Sequence, residues 1–179
     1  MSKNLFIFDG SNFYHYTKKM CPDIHLTHFD YRAFAEKVVG EKCDINYCVG
    51  EIKQDPKNKK TIKLYANQQK LFFNLEKQGV RIRKGYMLKN QGVYHEKGVD
   101  VRIAIDIVRG ALKKEYNNCF LVSSDSDLLP AIIDAKKEGK KIIYIGFKDF
   151  ISNSLKRNSS KTFEIDKKFI NSFIKKKTK

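Results

Sequence analysis

Short apolar runs alternate along this chain with longer segments whose apolar residues recur at helical spacing, and this alternation restricts the fold more than any other feature. The runs cover residues 5–8, 45–49, 80–82, 119–123 and 141–145. Two of them, "NLFIF" and "KIIYI", are almost continuously apolar, which is typical of strands buried on both faces. The helical segments between the runs cover residues 28–39, 61–78, 98–114 and 127–138. Strand–helix alternation predicts an α/β fold, a mostly parallel sheet with helices on both faces.

The length of 179 residues fits one domain with a substantial core. We expect the domain to occupy residues 1–165, followed at 166–179 by a short basic helix and a lysine tail. No apolar run approaches the ~20 residues that span a bilayer, and "NLFIF" is too short for a signal peptide. These observations predict a cytoplasmic protein with no membrane partner. They leave open both a monomer and a homo-oligomer.

The charge balance is strongly basic, with 36 Lys and Arg against 20 Asp and Glu and a formal net charge of +16. A pI near 9.6 favours a polyanionic partner, and nucleic acid is the commonest. Most of the basic residues are lysine, so a compositional bias is the competing explanation. The tail Lys175–Lys179 would either supply affinity for such a polyanion or simply be solvated.

The cysteines are too few and too scattered for a disulfide framework in a chain of this length. They are Cys21, Cys43, Cys48 and Cys119. Cys21, His25 and His28 are close in sequence and are of the types that bind zinc, but their spacing fits no common structural zinc pattern. Reduced, structural thiols are therefore the favoured interpretation, with zinc as the alternative.

Several carboxylates follow the ends of predicted strands. Asp9 follows "LFIF", and Asp125 and Asp127 follow "FLVSS", while Asp100 opens the longest predicted helix. In a parallel sheet these positions meet at the carboxyl edge of the strands, where ligands bind. Carboxylate and water oxygens suit Mg²⁺ and Mn²⁺, and such ions support phosphodiester hydrolysis. Each acid also has a structural alternative: Asp9 in an ordinary turn, and Asp127 and Asp100 at helix starts.

Four stretches carry a resemblance to a known family: "FIFDGSNFY", "KGVDVRIAIDI", "LVSSDSDLLPAI" and "GKKIIYIG". Together, from about Asn4 to Gly146, they resemble the NYN domain family of PIN-like proteins, which are related in fold to flap-type nucleases. The resemblance implies a Rossmann-like three-layer α/β/α sandwich and a metal-dependent ribonuclease activity. Ser124 stands where the family usually has Gly, so its local geometry or its hydroxyl could differ from the family pattern.

The resemblance also implies roles for single residues. Asp9, Asp100, Asp125 and Asp127 match the catalytic and metal-binding acids, with Mg²⁺ or Mn²⁺ as cofactor, and Asp127 would also cap its helix. Asn12 would orient water or a phosphate oxygen, and Lys97 would either contact the scissile phosphate or be solvated. The partner would be RNA, more readily single-stranded. A groove for it would be formed by Arg81, Arg83, Lys84 and Lys89 with Tyr86 and Tyr94 interleaved. The same segment could instead be an edge strand protected by charge.

Other functional classes fit less well. A haloacid-dehalogenase-type phosphatase needs a second acid where Ser11 stands, and no glycine-rich nucleotide-binding loop is present. The remaining alternative to a ribonuclease is a non-catalytic or regulatory RNA-binding module with the same fold. The retained acids favour the enzyme, because a pure binder has little use for groups that repel phosphate.

Asp100 and Asp106 lie on the same predicted helix, about 120° apart around its axis. Asp100 lies near Ala104 on the stripe that we expect to face the sheet. Asp106 has Arg102 four residues before it and Arg109 three after it, which are the spacings of surface ion pairs. We therefore predict that Asp100 belongs to the site and that Asp106 lies on the surface outside it. A part for Asp106 in the site is the alternative.

Overall fold

A computed structural model describes residues 4–90 and 93–174 of the chain. The lysine tail Lys175–Lys179, for which the sequence suggests a role in RNA affinity, lies outside the described residues. The side chains of Lys89 and Tyr94, two members of the predicted RNA groove, lie outside them as well.

Within the described ranges, seven strands form one sheet in the order β4-β3-β2-β1-β5-β6-β7. Their bounds are β1 Asn4–Asp9, β2 Asp44–Glu51, β3 Arg81–Asn90, β4 Val93–Lys97, β5 Asn118–Val122, β6 Lys141–Phe147 and β7 Lys161–Ile165. All neighbouring strands are parallel except β3 and β4, which form an antiparallel pair. The central strand β1 is buried along its whole length, as its continuous apolar run predicts.

Helices cover both faces of this sheet. Their bounds are α1 Gly10–Met20, α2 Tyr31–Val39, α3 Lys59–Lys77, α4 Val99–Leu112, α5 Leu129–Lys137, α6 Asn153–Asn158 and α7 Lys167–Asn171. Alternate residues of β1 belong to different cores: Phe6 and Phe8 pack with α1, α2, α3 and α7, whereas Leu5 and Ile7 pack with α4, α5 and α6. The predicted α/β sandwich with a mostly parallel sheet is confirmed.

Helix starts and stops follow local chemistry. The Asp30 side chain accepts a hydrogen bond from the Ala33 N–H at 3.0 Å and so caps α2, and the Asn58 side chain caps α3. Helix α2 ends at Gly40, whose φ of 87° is a left-handed conformation that glycine adopts without steric cost. These caps position the helices that lead into and away from the sheet edge.

The C-terminal helix α7 packs on the core rather than projecting from it. Ile170 is fully buried, and the Asp30 N–H donates to the Phe173 carbonyl at 2.8 Å. Phe169 and Phe173 lie edge-on against Phe34 of α2. No helix in the described part of the chain has both the length and the apolar character to span a membrane.

Candidate acidic site at the carboxyl edge of the sheet

Asp9 is the last residue of β1 and forms the floor of the candidate site. Its carboxylate is 2 % exposed and accepts two hydrogen bonds. The Asn12 N–H donates to Oδ1 at 3.1 Å, which caps α1, and the Ser123 hydroxyl donates to Oδ2 at 2.7 Å. Ser123 directly follows β5, so the hydrogen bond joins the carboxyl ends of two adjacent strands.

Asp125 and Asp127 stand on the loop between β5 and α5. The Asp125 N–H donates to the Ser123 hydroxyl at 3.1 Å, and the Asp125 carboxylate accepts from the Asp127 N–H at 2.9 Å. Asp125 therefore caps a short 3₁₀ turn at Ser126–Leu128 that precedes α5. The expectation that Asp127 caps the helix is wrong: Asp127 lies inside this turn, and its side chain is exposed.

Asn12 and Ser124 connect the first and third motifs. The Asn12 Oδ1 atom accepts from the Ser124 N–H at 3.1 Å, so Asn12 holds the β5–α5 loop in place. The Ser124 hydroxyl bonds to the Tyr144 hydroxyl and donates to the Phe150 carbonyl, both at 3.2 Å. Ser124 has no positive φ. The position therefore does not require glycine here, and the hydroxyl is held by residues beyond the acids.

Asp100 lies in the first turn of α4, just after Gly98, whose φ of 77° turns the chain from β4 into the helix. Partial desolvation is the main cause that raises the pKa of Asp100, and the charges of Asp125, Glu96 and Asp127 raise it further. These charges can act on Asp100 only because the β4–α4 junction and the β5–α5 loop lie at the same edge. The structure thus places Asp100 within electrostatic range of Asp125 and Asp127, and its charge acts in turn on Asp9.

Glu96 on β4 is a fifth carboxylate at this edge, and it is not among the acids identified from the sequence. It accepts a hydrogen bond from the Ser11 hydroxyl at 2.8 Å and from the Gly50 N–H at 2.6 Å. The available signal was its place directly before the "KGVD" motif. Lys97, the next residue, is exposed and points to the opposite face of β4, because successive residues of a strand alternate.

Electrostatics sets Asp9 apart from its neighbours. Burial raises the pKa of Asp9 to about 6, against the hydrogen bonds from Asn12 and Ser123, which lower it. The charges of Asp100 and Glu96 add to the increase. Five carboxylates therefore share one edge of a chain whose net charge is +16, and their mutual repulsion is the condition that a bound cation relieves.

The donor set fits Mg²⁺ or Mn²⁺ in type, since every candidate is a carboxylate oxygen and such ions keep several water ligands. Among the described residues, no three His, Cys, Asp or Glu side chains form a ready-made metal-binding group. Cys21, His25 and His28, which are all described, therefore do not form a metal-binding group either. All four cysteines are buried and free of disulfides. An ion at this edge would therefore be held largely through its own water ligands, as Mg²⁺ usually is.

Asp106 does not lie on the surface, contrary to the prediction from its neighbours on the helix. It is 6 % exposed, and its carboxylate accepts two hydrogen bonds from the Arg83 guanidinium at 2.9 and 2.7 Å and one from Asn46 Nδ2 at 3.1 Å. Helix α4 is rotated relative to the prediction. Its buried residues are Val99, Ile103, Asp106, Ile107, Gly110 and Ala111. Asp100 is exposed at the edge of this stripe.

The predicted RNA groove on β3 is also wrong. Arg83 faces α4 and is held by Asp106, whereas Lys84 faces the other side and pairs with Glu51 at 2.6 Å. Alternating side chains of one strand cannot line one groove. The edge-strand alternative does not hold for β3, because β4 pairs with it on its outer side, and β4 is itself the edge strand of the sheet.

Comparisons with known proteins agree with this architecture. The chain is similar to the uncharacterized protein MJ0482 of Methanocaldococcus jannaschii, with 34% identity over 71 residues that cover 40% of this chain and 30% of that protein. The chain thus matches less than a third of the relative's length. Its fold is similar to the crystal structure of VPA0982, a protein of unknown function from Vibrio parahaemolyticus, with a TM-score of 0.71. That match covers 94% of this chain and 96% of the other at 20% identity, so it shows the fold alone.

The family profile of the NYN domain matches residues 5–166. This range includes all five carboxylates of the edge and nearly the whole chain, and it confirms the resemblance carried by the sequence motifs. The protein therefore belongs to the NYN domain family.

Proposed function

We propose that the protein is a divalent-metal-dependent ribonuclease that hydrolyses phosphodiester bonds of RNA. The observation that carries the proposal is the convergence of carboxylates from separate segments at one sheet edge, in a chain of net charge +16. The basic surface of such a molecule attracts a polyanion, and its acidic centre holds the cations that hydrolysis needs. Members of the NYN family are generally ribonuclease-like hydrolases, which supports the same reaction.

In this proposal Asp9, Asp100, Asp125 and Asp127 hold Mg²⁺ or Mn²⁺, directly or through water. The ion supplies Lewis-acid stabilisation of the phosphate charge and activation of the attacking water. Ser123 fixes the Asp9 carboxylate through its hydroxyl. Asn12 keeps the β5–α5 loop at the correct distance from Asp9, because its side chain joins that loop to α1.

Glu96 has a positioning role in the same scheme. Its hydrogen bonds to Ser11 and Gly50 tie the β3–β4 hairpin to the ends of β1 and β2. The hairpin leads directly into α4 and therefore sets the position of Asp100. Lys97 stays a candidate for contact with the RNA backbone, on the face of β4 opposite to Glu96.

Cleavage of labelled single-stranded RNA, with and without Mn²⁺, tests the proposal. Hydrolysis should require the ion, stop with chelator and be lost in Asp100→Asn, while Asp134→Asn should retain it. Asp134 is a matched control because it is an exposed helical aspartate paired with a surface lysine, Lys137. Activity that persists in chelator would refute the metal mechanism.

The competing function, a non-catalytic RNA-binding module, gives a different result in the same experiment. RNA would then bind to the wild type and to Asp100→Asn with equal affinity, and no product would form with Mn²⁺ or Mg²⁺. A thermal-shift titration with Mn²⁺ separates the steps, since an ion that binds only the folded protein raises its melting temperature. Stabilisation without cleavage would support a metal site that lacks turnover.

A further inference from the structure

The loop between β2 and α3 carries a group of lysines at the same sheet edge as the acids. We call residues 52–60, which end with the first two residues of α3, the basic loop; its lysines are Lys53, Lys57, Lys59 and Lys60. All four are exposed, and Asp55 is the one acid in the sequence of this segment. β2 pairs directly with β1, with Cys48 opposite Asp9, so the loop begins on the neighbouring strand four residues beyond that pair.

The basic loop is anchored to the body of the protein. Gln68, a buried residue of α3, donates to the Gly50 carbonyl at 2.8 Å and accepts from the Ile52 N–H at 2.8 Å. The Thr61 hydroxyl donates to the Asp55 carbonyl at 3.1 Å and accepts from the Asp55 N–H at 3.1 Å. Buried side chains thus hold both ends of the loop. A preorganised loop loses less conformational entropy when a ligand binds to it.

The position of the lysines opposes the stability of α3. A helix N-terminus carries partial positive charge and favours acidic residues, yet the first turn of α3 contains no acid and begins with Lys59 and Lys60. Lys57 lies directly before the Asn58 cap. Local electrostatics would place these cations at the other end of the helix. Violations of a local rule of this kind occur where function requires them.

A contact path joins the loop to the acidic site. The Gly50 N–H donates to Glu96, whose carboxylate accepts from Ser11, and Ser11 lies two residues after Asp9. A chain of phosphates that reaches the acids from this side would pass over the exposed lysines. No base-reading group is needed on that path, because phosphate contacts position a nucleic acid without reading its sequence.

We propose that the basic loop binds the phosphate backbone of single-stranded RNA and guides it to the acidic site. The proposal rests on the proposed function for the identity of the polyanion, and it assigns to this loop the role that the sequence predicted for β3. Because the lysines are point charges on flexible stems, the loop contributes affinity and path rather than sequence preference.

The test compares two quadruple variants, each made in the Asp100→Asn background and assayed in chelator so that the RNA stays intact. The loop variant carries Lys53→Gln, Lys57→Gln, Lys59→Gln and Lys60→Gln. The control carries the same change of charge at the opposite edge of the sheet, where α4 ends and β6 begins, at Lys113, Lys114, Lys140 and Lys141. The affinity for a labelled single-stranded RNA is measured at several salt concentrations.

The loop variant should bind RNA with at least two fewer phosphates neutralised. The slope of log affinity against log salt would then fall by about 1.4, which corresponds to about 25-fold weaker binding at 0.1 M salt. Its melting temperature without RNA should stay equal to that of the parent or rise, because cations leave a helix N-terminus. The control should change affinity less than the loop variant does. Equal decreases of affinity in both variants would overturn the proposal.

The outcome is independent of catalysis. If the wild type cleaves RNA but the loop variant binds with unchanged slope, the loop assignment is wrong and the proposed function stands. If the wild type never cleaves RNA while the loop variant shows weaker affinity and a smaller slope, the loop assignment stands and the ribonuclease proposal fails. A loop variant that melts well below the parent would also overturn the proposal, since it would show that the lysines serve the fold.

Discussion

Asp9→Asn should stabilise the metal-free protein at neutral pH while it removes the function of the site. The carboxyl is buried at the end of β1, and its pKa of about 6 lies above the ordinary value of 3.8. A raised pKa in the folded state means that ionisation opposes folding. The protonated Asp9 carboxyl therefore contributes to the free energy of unfolding in full below about pH 4. This contribution decreases as the pH rises and the carboxyl ionises, and it is lost above about pH 6.

The size of the effect follows from the gap between the two pKa values. Each pKa unit corresponds to about 1.36 kcal/mol, so ionisation of Asp9 above pH 6 costs the folded state about 3 kcal/mol. Asparagine keeps an oxygen that accepts from the Asn12 N–H, and it caps helices as well as aspartate does. Its amide nitrogen cannot accept the hydrogen bond from the Ser123 hydroxyl, which costs about 1 kcal/mol. The net gain at pH 7.5 is about 2 kcal/mol, or roughly 4–8 °C in melting temperature.

Urea denaturation in chelator at a series of pH values measures this difference. The free energy of unfolding of the variant should exceed that of the wild type at pH 7.5. The excess should vanish between about pH 4 and pH 5 and become a deficit of up to about 1 kcal/mol at lower pH, where only the lost Ser123 hydrogen bond remains. Asp134→Asn serves as the control, because Asp134 is an exposed residue and its ion pair with Lys137 contributes little. A variant that is less stable at pH 7.5, or a difference that does not change with pH, would refute the reasoning.

Addition of Mn²⁺ should reverse the order of stability. The ion binds the folded wild type through its carboxylates and raises the melting temperature with concentration, whereas the variant lacks the buried charge and should respond little. A variant stabilised by Mn²⁺ as strongly as the wild type would show that Asp9 is not a ligand. The buried acid would then be a structural cap only.

One further substitution and one deletion separate fold from function. Asp106→Asn should lower the free energy of unfolding by about 2 kcal/mol in urea denaturation, because the partly buried Arg83 guanidinium loses its bidentate partner. A decrease below about 0.5 kcal/mol would contradict this prediction, since surface substitutions have effects of that size. Deletion of Lys175–Lys179 should lower the salt slope of RNA binding by about 0.7 for each phosphate that the tail neutralises in the wild type. An unchanged slope would show that the tail is solvated and that other lysines carry the affinity.

The strands that the sequence predicts best are those marked by a continuous apolar run, which can be recognised without knowing the neighbouring strands. β1 and β6 are continuously apolar, and both lie in the interior of the sheet. Helix α1 and strand β7 carry weaker patterns: the buried residues of α1 lie at helical spacing, but only Phe13 among them has a large apolar side chain. Its start is nevertheless marked by Asp9, the residue that also suggested the site.

The acids are predictable from the sequence because ligands of parallel sheets bind at the carboxyl ends of the strands. Asp9 and Asp125 follow strands that the apolar runs identify, and parallel pairing then brings their ends together. Glu96 was not predicted because β4 is short, polar and antiparallel to β3, so that no apolar run in the sequence marks this strand. Its partners, Ser11 and Gly50, lie 85 and 46 residues away in the chain. No local spacing signals contacts of that kind.

Asp106 shows why helical spacing alone could not place a charged residue. Arg102 and Arg109 stand at ion-pairing distances along the helix, but the pair that forms is with Arg83 on β3, 23 residues earlier. The Arg83 guanidinium donates to the Asp106 carboxylate through two of its nitrogens, Nε and Nη2, whereas pairs along a helix contribute only a few tenths of a kcal/mol. Asp106 therefore faces inward together with the buried Val99 and Ile103, and α4 is rotated relative to the orientation that its own arginines predict. That rotation moves Asp100 to the exposed edge of the helix, where Asp125 and Glu96 raise its pKa. The buried pair and the acidic site are thus two consequences of one helix orientation. The destabilisation of Asp106→Asn should be accompanied by a lower affinity for Mn²⁺, although the Asp106 carboxylate itself is bonded to Arg83 and Asn46.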